Sequence, residues 1–205
     1  MRREKVYHYI LFYKPYGVLC QFTDSLGRAT LADYGNFPKD VYPVGRLDAD
    51  SEGLVLLSDD GAVKHLLLEP AYHHPRTYLV QVEHTPSAES LEKLRHGVII
   101  EKKITLSAEV QLLRAAPNLP PRSVPVRFRK KVPTAWLEMT LFEGRNRQVR
   151  KMTAAVGHPT LRLLRTKIGN LSLKKLAPGK FRKLTPQEIQ QLRASTRIHI
   201  KDHKI

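Results

Sequence analysis

A chain of 205 residues that is 41% hydrophobic and 26% charged is composed like a globular protein with a real core, which excludes fibrous and disordered classes. Its net charge of +16 points to a polyanionic partner, nucleic acid before membrane, because the basic residues run through folded segments rather than along one amphipathic helix. Cys20 stands alone, so no disulfide or cysteine-based metal site is available, and no stretch approaches the roughly 20 apolar residues of a membrane span, which makes cytoplasm the expected compartment.

Val6 to Tyr13 predicts a strand, Lys14-Pro15-Tyr16-Gly17 a turn, and Val18 to Phe22 a second strand closing a hairpin. The basic start faintly resembles a signal peptide, but His8 and Lys14-Pro15 interrupt it. Leu31 to Tyr34 predicts a short helical turn. Two apolar runs, Val41 to Val44 and Leu54 to Leu57, read as short buried strands around a polar loop. Asp59-Asp60-Gly61 opens a helix that runs to Leu68 and ends before Pro70. Thr77 to Val82 alternates as a strand. Thr85 as N-cap and Pro86 at the first position then predict a helix to about Arg95, with Gly97 beyond it. Further strands follow at 98–100, 104–106 and 108–113.

From Pro117 to Pro133 the chain turns proline-rich and basic, with Arg122, Arg127, Arg129, Lys130 and Lys131 in one long loop. Ala135 to Phe142 is a cleanly alternating strand, and Asn146 to Val156 a helix stopped by Gly157 and Pro159. Strands at 160–168 and 181–184 precede Thr185-Pro186-Gln187-Glu188, a capping box that starts a last helix to about Ala194. The pattern predicts an α+β fold: a mixed, mostly antiparallel central sheet flanked by helices, in two small lobes with a cleft between them. One catalytic domain is expected over 1–205, with its core at 6–194 and a loose basic tail at 195–205.

Two segments concentrate chemistry. In Gly45-Arg46-Leu47-Asp48-Ala49-Asp50-Ser51-Glu52-Gly53-Leu54, one arginine and three carboxylates occupy a loop held by rigid flanks, where catalytic groups tend to sit. An arginine near a carboxylate favours its ionised form. In Glu143-Gly144-Arg145-Asn146-Arg147-Gln148-Val149-Arg150-Lys151-Met152, a strand end runs into a basic helix. Arg147, Arg150 and Lys151 would share one helical face there, suited to phosphate at a helix N-terminus. Four cations in seven residues repel one another unless an anion or a carboxylate stands among them.

Together these segments resemble the catalytic and arginine-rich motifs of ribosomal-RNA pseudouridine synthases of the RsuA type. Arg76-Thr77-Tyr78 is similar to that family's basic residue, spacer and tyrosine. Tyr13-Lys14-Pro15-Tyr16-Gly17 resembles its opening motif, with Tyr13 in place of the usual asparagine. The four stand in the family's order across about residues 9 to 184. No N-terminal RNA-binding domain of the S4 type precedes them, so the likeness is nearest to the subgroup without it that modifies large-subunit (23S) ribosomal RNA.

The resemblance implies an isomerase that turns a specific uridine into pseudouridine, a reaction needing no redox change and no external group. It implies Asp48 as the catalytic carboxylate, acting as nucleophile or base. Arg150 would reach Asp48 from the helix, and Tyr78 would stack on the flipped uracil. Arg46 would fill the gap left by the base or bind a flanking phosphate. Lys14, Gly144, Arg145, Arg147, Gln148 and Lys151 complete the expected RNA-binding set. Asp50 and Glu52 read as loop-shaping groups or partners of Arg46. Neither a cofactor nor a metal is expected, since adjacent His73 and His74 make poor metal geometry. Ribosomal RNA or an assembly intermediate is the expected partner of a monomer. The 117–133 loop is expected to help select the substrate. Two other readings compete, an inactive basic RNA-binding or ribosome-assembly protein and an RNA N-glycosidase that releases uracil.

Overall fold

Leu11, Phe12 and the run Leu54 to Leu57 are buried without residue, so the two strands that carry them belong in the middle of a sheet rather than at its edge. The computed structural model describes residues 6–126, 132–174 and 176–201. Its strands are β1 (Tyr9–Lys14), β2 (Tyr42–Val44), β3 (Glu52–Ser58), β4 (Arg76–Glu83), β5 (Ile99–Ile100), β6 (Lys103–Ile104), β7 (Ala108–Leu112), β8 (Thr134–Leu141), β9 (Thr160–Ile168), β10 (Leu171–Ser172) and β11 (Phe181–Lys183). Its helices are α1 (Gly61–Leu68), α2 (Ala88–His96), α3 (Gln148–Ala155) and α4 (Pro186–Lys201).

The main sheet runs β11-β1-β3-β9-β4-β8-β7, with β10 paired to β9, β2 paired to β3, and β5-β6 a separate hairpin. Among the described strand pairs only β3 and β9 are parallel. The two halves expected as lobes thus share one continuous sheet. Alternation along β1 and β3 divides the apolar side chains between its faces. Ile10, Phe12, Val55 and Leu57 join Val80, Leu137 and Met139 under α2 and α3, which contribute Leu91, Leu94, Val149 and Met152. Tyr9, Leu11, Leu54 and Leu56 join Leu164 under α1 and α4, through Val63, Leu67 and Leu192.

Three local expectations change for physical reasons. Val18 to Phe22 does not pair back on β1, because both edges of β1 are already taken by β3 and β11. The segment makes only an isolated bridge between Leu19 and Thr30 and sends Val18 and Cys20 into the core. The cap of α2 is Ser87, whose hydroxyl accepts from Ser90 N at 3.1 Å, rather than Thr85. The last helix continues to Lys201, so the segment from Ser195 to Lys201 is helical instead of loose.

β1 covers one edge of β3 along 53–58, leaving β2 and β9 to share the other. β2 pairs with Leu56 to Ser58, and β9 takes over at Glu52 and Gly53. The chain between β2 and β3 is therefore pushed off the sheet, and that excursion is the 45–51 loop. Gly53 makes the handover possible, since at φ 110° its bare Cα lies against the Arg165 backbone, where a Cβ would collide. Beside it the buried Glu52 carboxylate receives Arg162 Nε and Nη2, both at 2.8 Å, and the same guanidinium donates to Pro120 O at 2.9 Å. That fork fastens the start of the proline-rich loop to the sheet.

The capping box of α4 forms as its sequence predicts: Glu188 accepts from Thr185 N at 2.9 Å, and Thr185 Oγ1 accepts from Glu188 N at 3.2 Å. A two-pronged bond from Arg182, both prongs 2.7 Å, holds the Glu188 carboxyl down at about 2. Because the folded value lies below the ordinary 4.5, this stabilisation is complete above pH 4.5 and fades as pH falls towards 2. Glu188→Gln should therefore cost about 1 kcal/mol near neutrality and little at the acid end, measured by thermal unfolding followed through helical circular dichroism. An equal loss at all pH values would show that charge plays no part.

Candidate active site

The excursion at 45–51 meets the entrance of α3 at one end of the sheet. Asp48 and Tyr78 line a cavity of about 360 Å³ there, with Arg46, Gly144, Arg145, Asn146 and Arg147. Tyr78 comes from β4, on the face shared with Val80 and Val82, and is almost fully buried. The loop holds its shape through backbone bonds: Ser51 N donates to Asp48 O at 3.1 Å and Gly17 N to Ala49 O at 2.7 Å.

Arg147 is the hinge of the constellation. Its backbone is left-handed, φ 51° and ψ 33°, so it cannot lie within the helix and becomes the N-cap of α3, which starts at Gln148 rather than Asn146. Its guanidinium grips both carboxylate oxygens of Asp50, at 3.1 and 2.8 Å, and reaches Asp48 Oδ2 at 3.4 Å. Arg150, expected to contact Asp48, instead donates to the Asp50 carbonyl at 2.8 Å and lies 3.5 Å from the Asp50 carboxylate. Its Nε is buried without a hydrogen-bond partner among the described residues. Burial alone would raise the Asp50 carboxyl. The bond from Arg147 and the charges of Arg150 and Arg147 outweigh that and keep it below its ordinary value.

Several expected RNA contacts turn inward. Lys14 is fully buried, and its Nζ donates to the carbonyls of Pro15, Val18 and Ala49 at 2.9, 2.7 and 3.3 Å, so it fastens the loop instead of facing solvent. Gln148 is buried as well, bonding Glu143 Oε1 at 2.6 Å and accepting from Arg145 N at 2.9 Å. Arg145 forks onto Glu143 and the carbonyls of Lys103 and Ile104. Lys151 pairs with Glu101 at 2.6 Å. The repulsion implicit in the basic cluster is thus relieved by carboxylates of the protein itself. Gly144 stays exposed on the cavity wall. Glu52 and Asp50 serve Arg162 and Arg147 rather than Arg46, which is exposed and makes no hydrogen bond or ion pair among the described residues.

Arg162 and Arg165, buried within β9 and bonded to the Glu52 carboxylate and the Leu54 carbonyl, are supports that motif reading passes over. Their signal was cations in an otherwise apolar strand, Leu161 to Leu164 and beyond, where an unpaired charge would be prohibitive. In the proline-rich loop Arg122 lies over the Tyr16 ring, 4.0 Å from its centroid. Arg127, Arg129, Lys130 and Lys131 fall outside the described residues. His73 and His74 belong to no cluster of metal-binding type among the described residues.

Residues 8–155 match the family described as RNA pseudouridylate synthase, and the chain belongs to that family. Among curated relatives it is 56% identical over 171 residues to a ribosomal large subunit pseudouridine synthase E of Xanthomonas axonopodis pv. citri, covering 82% of this chain and 90% of the relative. It is 39% identical over 194 residues to a ribosomal large subunit pseudouridine synthase B of Bacillus subtilis, covering 94% and 73%. A crystal structure of a pseudouridylate synthase superposes with a TM-score of 0.77 at 29% identity, over 93% of this chain and 75% of the other.

Burial draws Lys14 down from 10.5 to about 8. Between those values the unfolded chain binds more protons than the folded one, so this residue's contribution to stability rises with pH across that window. Below it, the charged form carries the whole burial cost. Lys14→Met should abolish the rise, seen as a wild-type-minus-variant difference in urea unfolding that shifts in favour of wild type between about pH 7.5 and about pH 10. A difference independent of pH would place the ammonium in solvent.

Proposed function

We propose that the protein isomerises a uridine of large-subunit ribosomal RNA to pseudouridine, with Asp48 as the catalytic carboxylate. The observation that carries this reading is the meeting of Asp48, Tyr78 and the guanidinium groups of Arg46, Arg145 and Arg147 in one cavity, on segments that resemble the family's motifs. The reaction breaks the N1–C1′ bond and joins C5 to C1′; the C5 proton leaves and N1 takes one up. Asp48 serves at the sugar, with the Arg147 guanidinium 3.4 Å from its carboxylate. Tyr78 stacks on the extruded uracil, and Arg150 braces the loop from behind through the Asp50 carbonyl. A cavity of about 360 Å³ suits one nucleoside. Extruding the base costs a few kcal/mol, least in unpaired RNA, and the net charge of +16 favours the phosphate backbone.

The enzyme acts as a monomer, and ribosomal RNA as substrate implies work in the cytoplasm. Arg46 engages the flanking backbone. The basic loop after Pro117 adds to selection; within it Pro120 is held by Arg162, and Arg122 lies over Tyr16.

Tritium placed at uridine C5 of ribosomal RNA should be released by the wild type. Asp48→Asn should release at least a thousandfold less while still binding RNA, because an absent catalytic group typically costs three decades or more. Release of free uracil in place of pseudouridine would establish a glycosidase. RNA binding without release from either naked RNA or assembly intermediates would establish a binding protein.

A further inference from the structure

A second cavity, of about 1050 Å³, adjoins the first. Phe22, Phe37 and Tyr42 form its aromatic wall, and Arg46 lines both cavities. Phe37 is wedged between Phe22 and Phe181, with centroid separations of 5.5 and 4.7 Å, so the wall is rigid. Tyr42 is 57% exposed although it sits in β2, its ring left without the cover a core aromatic would have. Lys39, Arg46 and Lys64 also line this cavity, and no carboxylate does. All three are exposed, and none forms an ion pair among the described residues. In the catalytic cavity, by contrast, Arg145 and Arg147 are each paired to a carboxylate. The unneutralised positive charge therefore lies in the larger cavity, beside aromatic faces and joined to the catalytic one through Arg46.

We propose that this cavity receives a second unpaired nucleotide of the same RNA, next to or near the target uridine, with its base against the aromatic wall and its phosphate on Arg46. The proposal rests on reading the chain as an RNA-modifying enzyme. Single-stranded nucleotides are held in this way, by stacking on aromatic side chains within a cationic groove. The volume exceeds the roughly 300–1,000 Å³ of typical small-ligand sites, leaving room for a nucleotide and its backbone. A neighbour captured here would fix which uridine can reach Asp48.

The test uses a ribosomal-RNA hairpin containing the modified uridine, with each flanking nucleotide replaced in turn by an abasic one. Binding and single-turnover modification are compared between the wild type, Tyr42→Ala and the double variant Lys39→Glu, Lys64→Glu; all three side chains are exposed, and folding is checked by circular dichroism. At one flanking position, loss of the base should weaken wild-type binding about tenfold, as one stacked base is worth. Tyr42→Ala should weaken binding of intact RNA comparably yet lose nothing further on that abasic RNA. Placing 4-thiouridine there should crosslink to the segment 20–46. Losses that simply add at every position, or crosslinks outside that segment, would overturn the proposal. So would variants that impair modification only on ribosomal particles, which would mark the cavity as a seat for an acidic protein segment. Should the wild type release no tritium from the intact hairpin or from particles, the enzymatic reading falls and this one with it; release without coupling to a flanking base sinks this one alone.

Discussion

Arg147 and Asp50 are 97 residues apart in the chain, and the two-pronged bond between them joins the loop that carries Asp48 to the helix that carries Arg150. A planar guanidinium matches a carboxylate at two points, so it fixes orientation as well as distance. A lysine there would supply the charge without the alignment. Around this clasp the other fastenings make sense: Lys14 beneath the loop, Arg150 on the Asp50 carbonyl, and Glu143 beyond the end of β8 bonded to Gln148 at the start of α3. Each ties one end of the cavity to a different strand or helix, so the reacting groups sit on a frame rather than on a mobile loop.

Charge in this protein is used in two ways. Cations near the catalytic loop are mostly committed to internal partners and set geometry; those with no ion pair among the described residues are available to a polyanion. A net charge of +16 establishes that an excess exists without locating it. Had the family motif alone been followed, Lys14, Gln148, Arg145 and Lys151 would all have been placed against RNA. Their distances to protein oxygens assign them first to holding the site together.

Much of the fold was legible because its signals are local. The alternation of β4 and β8, the capping box at Thr185 and the N-cap at Asp60 depend on neighbours within a few residues. The hairpin expected from Val18 to Phe22 failed because β-propensity does not reveal whether a partner edge is vacant. The 45–51 and 143–152 segments stood out because their residue types are so unlike their surroundings, and the family resemblance joined them into one site. Which guanidinium meets which carboxylate was not, because a left-handed backbone at Arg147 redirects the helix entrance and no sequence rule marks that position. The Glu52–Arg162 pair was likewise out of reach, its two halves lying 110 residues apart and brought together by the parallel pairing of β3 with β9.

The left-handed arginine carries a consequence for how this protein can be improved. A non-glycine residue in that conformation costs about 1–2 kcal/mol relative to one that accepts it freely. Glycine or asparagine at position 147 would relax the backbone, at the loss of the clasp on Asp50. The backbone strain at this one position is thus kept together with the alignment that the clasp provides.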